Sequence, residues 1–212
     1  MSLRAPDWQE DGHDWPNRAA SRFLEAGGVR WHLQGRGGGP AVVLGDGPGA
    51  PTHSWRALAP RLARHSTVIA PDLPGPGFSG AVTETRMSLP GMAASLAALL
   101  RALAVEPRWV VGHSAGAAVL VRACLDGALA PRAVLSLNGA LLPLGGLRHP
   151  GFASFARLFV SGSLLPRLFA WRAADPALTG RTLAETGSRI GARGVELYRR
   201  LPRRPPPAPA AV

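Results

Sequence analysis

Gly112-His113-Ser114-Ala115-Gly116 stands between an apolar run, Trp109-Val110-Val111, and a helix-forming run from Ala117 to Asp126. A strand that passes into a helix through so short a turn places one residue in a strained conformation and packs the two elements closely. Glycines at both ends of the pentapeptide leave room for that contact. Ser114 at the turn projects its hydroxyl above the sheet, and the N–H of Ala115 opens the helix toward a forming oxyanion. This predicts Ser114 as a nucleophile and Ala115 as its backbone oxyanion donor. The competing reading is a chance match in a chain with 26 glycines, and the flanking strand and helix argue against it.

The rest of the chain alternates in the same way. Val29–Leu33 alternates as a strand does. Ala41-Val42-Val43-Leu44 and Thr67-Val68-Ile69-Ala70 are short apolar runs suited to strands covered on both faces, and Ala133–Leu137 reads the same way. Trp55–Arg64 reads as a helix. Ser88 caps a longer one in which Leu89, Met92, Leu96, Leu99, Leu100 and Leu103 recur at helical spacing. Strands alternating with helices predict an α/β fold, a mostly parallel sheet with helices on both faces. Ligand chemistry then belongs at the carboxyl ends of the strands, where Ser114 and a glycine-rich loop, Gly45–Gly49, both lie.

The organisation predicted is an irregular N-terminal arm over 1–22, a core over 23–139, a helical cap over 140–200 and a disordered tail over 201–212. The cap stretch carries Phe152, Phe155, Phe159, Leu164, Leu165, Leu168, Phe169 and Trp171. A cap shaping an apolar substrate pocket, with Phe152 and Phe155 in its lining, is favoured over an amphipathic segment lying on a membrane surface. Five prolines in 201–212 exclude a helix or a central strand there.

Composition narrows the function classes. The net charge is +11 and all 24 basic residues are arginine, yet they are scattered without an aromatic-interleaved stripe, so nucleic-acid binding is not expected. One cysteine, Cys124, fits a reducing cytoplasm and a small packing residue. Neither a signal peptide nor an apolar run of membrane-spanning length is expected. No H-x-x-x-H, Cys/His cluster, P-loop or dinucleotide fingerprint occurs, so neither metal nor cofactor is expected.

Several stretches together resemble the α/β-hydrolase superfamily: the pentapeptide, the loop Asp72-Leu73-Pro74-Gly75-Pro76-Gly77-Phe78-Ser79, and the glycine-rich loop after Leu44. Residues 14–23, Thr52-His53-Ser54-Trp55-Arg56, Ser136-Leu137-Asn138-Gly139-Ala140-Leu141-Leu142-Pro143 and Leu168-Phe169-Ala170-Trp171-Arg172-Ala173 resemble, more narrowly, the magnesium-chelatase accessory proteins within it. Those proteins belong to the bacteriochlorophyll gene clusters of phototrophic bacteria. The resemblance spans roughly residues 14–201. It implies a role near magnesium insertion into protoporphyrin IX, with chelatase subunits, a tetrapyrrole or a small apolar ligand as partner; His53, which follows the glycine-rich loop, and Asn138 are expected at the pocket.

The chain departs from that pattern in three places. Where relatives have His-Gly-x-Gly as the oxyanion loop, this chain has Asp46-Gly47-Pro48-Gly49. Proline at the donor position has no N–H, so Gly47 and Gly49 are the remaining loop candidates, and Asp46 adds negative charge. Pro76 stands where histidine is common. Relatives continue past the position of Leu201 with two strands whose loops carry the triad acid and histidine, so a truncated or frameshifted end is expected, with the last strands missing. Within the chain His149 reads as structural, His113 as too close in sequence to serve Ser114, and Asp126 as too far from the strand tip. Three functional readings follow: an accessory protein without catalysis, a serine esterase or acyl hydrolase using Ser114, and a non-functional fragment.

Overall fold

The computed structural model describes residues 6–47, 49–75, 77–141 and 191–199. They fall into two units, one spanning Trp8–Leu141 and one combining Met1–Asp7 with Leu142–Val212. Most of the predicted cap and all of the proline-rich tail lie outside the described residues. The described residues of the second unit include a helix at Ala192–Arg199. Among the described residues no helix is long and apolar enough to cross a membrane.

The first unit is built on a six-stranded sheet. In chain order its strands are β1 (Ser21–Ala26), β2 (Val29–Arg36), β3 (Ala41–Gly45), β4 (Thr67–Pro71), β5 (Trp109–His113) and β6 (Ala133–Leu137). Across the sheet the order is β1-β2-β4-β3-β5-β6. The hairpin β1–β2 and the β2–β4 pair are antiparallel, and β4, β3, β5 and β6 run parallel. The predicted α/β class is therefore present, with an antiparallel hairpin added at one edge.

Helices α1 (Leu58–Leu62), α2 (Glu84–Met87), α3 (Leu89–Ala102) and α4 (Ala115–Leu125) complete the unit. Side chains alternate across each strand, so one strand serves two cores. Val43, Ile69 and Val110 pack with Met92, Leu96 and Leu99 of α3 and Val119, Leu120 and Ala123 of α4. Val42, Leu44, Val68, Ala70 and Val111 face the other way, onto Trp55, Ala59 and α1. Cys124 packs at the margin of the larger core, where burial pushes its thiol pKa up and away from nucleophilic use.

Local chemistry explains where elements differ from expectation. The helix expected over Trp55–Arg64 divides into a 3-10 turn, Thr52–Trp55, and α1. Pro60 has no N–H to continue the helical bonding backwards, so it fits only in the first turn of α1. Ser88 caps α3 as expected, accepting from the Gly91 N–H at 3.2 Å. Strand β1 begins inside the stretch read as an irregular arm. Its Arg22, Phe23 and Leu24 give a weak alternation, and it is the pairing with β2 that makes it a strand.

A buried knot around Asp72 joins this edge of the sheet to its loops. Its Oδ1 accepts the Thr52 N–H at 2.7 Å. Its Oδ2 lies 2.8 Å from His32 Nδ1 and accepts the Phe78 N–H at 3.1 Å. Ser79 Oγ donates to the Asp72 carbonyl and accepts from the His32 N–H. Rings of Trp8, Phe23 and Phe78 enclose the His32 imidazole. Trp15, itself buried, donates its indole N–H to Thr52 Oγ1 at 2.9 Å.

Removing the Asp72 carboxylate leaves two buried amides and an imidazole without their acceptor. Asp72→Ala should therefore lose about 3–5 kcal/mol in urea denaturation, against about 1 kcal/mol for the cap variant Ser88→Ala. Equal midpoints for the two variants would show that the knot carries no special weight.

Candidate functional site

Strands β3 and β5 are parallel neighbours in register, with Gly45 opposite Gly112. From β3 the chain crosses one face through α1 to β4. From β5 it crosses the other face through α4 to β6. The connections thus part between these two strands, which makes their carboxyl ends the crevice in which open α/β sheets bind ligands. Asp46 and Gly47 follow β3 there, and His113 and Ser114 end β5.

Packing at this point is as close as backbone allows. A methyl group on Gly112 would fall 2.3 Å from Ala117 Cα, and one on Gly116 would fall 2.4 Å from the Gly45 carbonyl oxygen. Helix α4 can therefore start immediately after β5, with Ser114 as the only residue between them. That residue takes φ 51° and ψ −129°, a conformation that L side chains rarely adopt. Neighbouring backbone holds it in place. The Ser114 N–H donates to Leu137 O at 3.2 Å, and its carbonyl accepts from Ala117 and Ala140.

The Ala115 N–H opens α4 and is one of the helix's first-turn donors. Gly47 lies against it: a methyl group on Gly47 would be 3.6 Å from Ala115 N and 3.8 Å from Ser114 Oγ. Gly47 therefore leaves space beside the serine. Its own N–H donates to Asp46 Oδ1 at 2.7 Å. Gly49 adopts φ 99°, and Pro48 between them lies outside the described residues.

The same Asp46 oxygen is 2.8 Å from Nδ1 of His113. The carboxylate is buried at 5% exposure and the imidazole is half-exposed, at 44%. The hydrogen bond to Asp46 is the main cause that raises the His113 pKa from its ordinary value, and burial works against it. Sequence reasoning noted both residues and missed their pairing. The signal was present: a carboxylate one residue past β3 and an imidazole at the end of β5 fall together once Gly45 and Gly112 are in register. Among the described residues no imidazole or carboxylate hydrogen-bonds Ser114 Oγ.

Of the remaining expected site residues, Asn138 stands between Leu137 and Ala140, both hydrogen-bonded to Ser114 through the backbone. Asn138 follows β6, exposed and at φ 48°. His53 is buried and packs edge-on against Trp15 with ring centroids 5.1 Å apart. Phe152, Phe155 and His149 lie outside the described residues. Among the described residues no group of three or more His, Cys, Asp or Glu side chains is placed to hold a metal ion.

A family model described as the alpha/beta hydrolase fold matches residues 40–152. The chain is 35% identical over 187 residues to the magnesium-chelatase 30 kDa subunit of Rhodobacter capsulatus, covering 87% of this chain and 65% of that protein. It is 33% identical over 183 residues to the dihydrolipoyllysine-residue acetyltransferase component of the acetoin cleaving system of Pseudomonas putida, covering 83% of this chain and 47% of that one. The chain thus spans about half to two thirds of the length of these relatives. Among solved structures, an alpha/beta hydrolase from Nostoc sp PCC 7120 superposes with a TM-score of 0.72 at 24% identity, over 87% of this chain and 67% of that one. At that identity the likeness concerns the fold.

The buried His53 gives this region an acid limit. Burial lowers its pKa from 6.5 to about 3. Below 6.5 the unfolded chain takes up a proton that the folded chain refuses, so stability falls as pH drops from 6.5 toward 3. One proton contributes at most about 1.4 kcal/mol per pH unit. NMR should find the His53 ring neutral at pH 5, and His53→Asn should flatten the acid limb of stability against pH. An ordinary titration near 6.5 would contradict the burial.

Proposed function

The chain belongs to the α/β-hydrolase family, and from that premise we propose that it acts as an accessory factor in magnesium insertion into protoporphyrin IX, in bacteriochlorophyll synthesis. The observation that carries this is the 35% identity to the magnesium-chelatase 30 kDa subunit across 87% of the chain. The proposed action is binding, with the tetrapyrrole held at the crevice between β3 and β5 and the chelatase subunits as the other candidate partners. A cytoplasmic location is part of this reading.

The chemistry at the strand ends supports binding over hydrolysis. Acyl transfer needs hydrogen-bond donors aimed at a developing negative charge, and losing one costs about 10²–10³ in turnover. In this chain Gly47 directs its N–H to Asp46, which also brings a carboxylate to the loop. Among the described residues no base hydrogen-bonds the Ser114 hydroxyl, and a serine hydroxyl without one is a weak nucleophile.

A second reading, a serine acyl hydrolase, is favoured by one observation: the strained backbone at Ser114, a conformation that concentrates at reactive sites. In that mechanism Ser114 Oγ attacks the acyl carbon and the Ala115 N–H stabilises the oxyanion. A fluorophosphonate probe and protoporphyrin IX, applied to the same protein, separate the readings. The accessory role predicts quenching of porphyrin fluorescence at micromolar protein and no phosphonylation of Ser114. Stoichiometric labelling that Ser114→Ala abolishes, with no porphyrin binding, would establish the hydrolase instead.

A further inference from the structure

Asp46 and His113 form a pair that neither the accessory reading nor the hydrolase reading uses. Asp46 Oδ1 lies 2.8 Å from Nδ1 of His113, and the Gly47 N–H donates to the same oxygen at 2.7 Å. The buried carboxylate is therefore fixed from two directions. With Nδ1 engaged there, any further bond of the imidazole falls to Nε2. A carboxylate behind one ring nitrogen sets the tautomer, holds the ring's orientation and makes the other nitrogen a better donor to a metal.

One such nitrogen cannot hold a bare cation, because structural metal sites take about four protein ligands. No group of three ligating side chains accompanies it among the described residues. A single imidazole is sufficient in one chemical situation: the metal arrives already held by the four nitrogens of a planar macrocycle and lacks only an axial ligand, as in haem proteins with a proximal histidine. Gly47, Ser114 and Ala115 near His113 carry no large side chain, so the approach to the half-exposed imidazole is not blocked from that side.

We propose that Nε2 of His113, oriented by Asp46, is the axial ligand of a metallated tetrapyrrole bound at the carboxyl ends of β3 and β5. This rests on the tetrapyrrole reading of the same crevice and adds to it. A site built this way favours the metallated macrocycle over the metal-free one, which places the protein on the product side of metal insertion.

The test compares zinc protoporphyrin IX, a stable chelate that takes one axial ligand, with metal-free protoporphyrin IX. Absorption and fluorescence titrations are run on the wild type, His113→Ala and Asp46→Asn, with circular dichroism to check folding. The expected result is at least tenfold tighter binding of the zinc form by the wild type, with a red-shifted Soret band. His113→Ala should lose the preference and the shift while still binding the metal-free porphyrin, and added imidazole should restore the shift. Asp46→Asn should keep the shift and weaken zinc-porphyrin binding by about 10–100-fold. Equal binding of the two porphyrins by the wild type, or an unchanged shift in His113→Ala, would overturn the axial ligand and leave the tetrapyrrole reading standing. Binding of neither porphyrin would remove both.

Discussion

Everything at the crevice depends on how closely α4 approaches the ends of β3 and β5. Gly112 and Gly116 have no room for even a methyl group against Ala117 and the Gly45 carbonyl. This contact sets the depth at which the helix begins, and so forces the whole reversal onto Ser114. The strain at that residue is the cost of the contact. It is offset by backbone hydrogen bonds to Leu137 and Ala140 and by the apolar packing of Val119, Leu120 and Ala123 beneath the helix. A larger residue at either glycine would move the helix, and the serine, Ala115 and His113 would move with it.

The Asp72 knot anchors the opposite side of the sheet by different means. Near the Ser114 turn, small residues let backbones touch. Around Asp72, a buried charge gathers backbone amides, an imidazole and a serine hydroxyl within a shell of aromatic rings. Such a group is costly to bury and is tolerated because its acceptor sites are met. Asp46 repeats the arrangement on a smaller scale, with one imidazole and one amide. The two carboxylates differ in one decisive respect. The histidine of Asp72 is sealed from solvent, whereas the histidine of Asp46 is open to it, and that exposure is what makes His113 available to a ligand.

Much of this was legible in the sequence. The apolar runs at Val42–Leu44, Val68–Ala70 and Val110–Val111 announced strands covered on both faces, and the leucine spacing after Ser88 announced α3. The pentapeptide located the turn at Ser114, though helix α4 begins two residues earlier than its apolar run suggested. Strand β1 was not legible, because its identity comes from the partner it pairs with rather than from its own pattern. The Asp46–His113 pair was missed for a related reason: the two residues are 67 positions apart, and strand register alone brings them together. The burial of His53 was not legible either, because it comes from the 3-10 turn Thr52–Trp55, which directs the ring into the packing around Trp15.

The sheet order carries one more consequence. The four strands β1, β2, β4 and β3 are adjacent, and all of them lie before Asp72 in the chain. The knot that ties them is complete once Ser79 has been synthesised. The remaining strands then join the free side of β3 in the order in which they are made, first β5 and then β6. A ribosome adding roughly 5–20 residues per second therefore delivers these four strands and the residues of the knot before the serine turn exists. That turn takes its final shape only when Leu137 and Ala140 emerge to hold it, so the most strained residue of the site is also among the last to be secured.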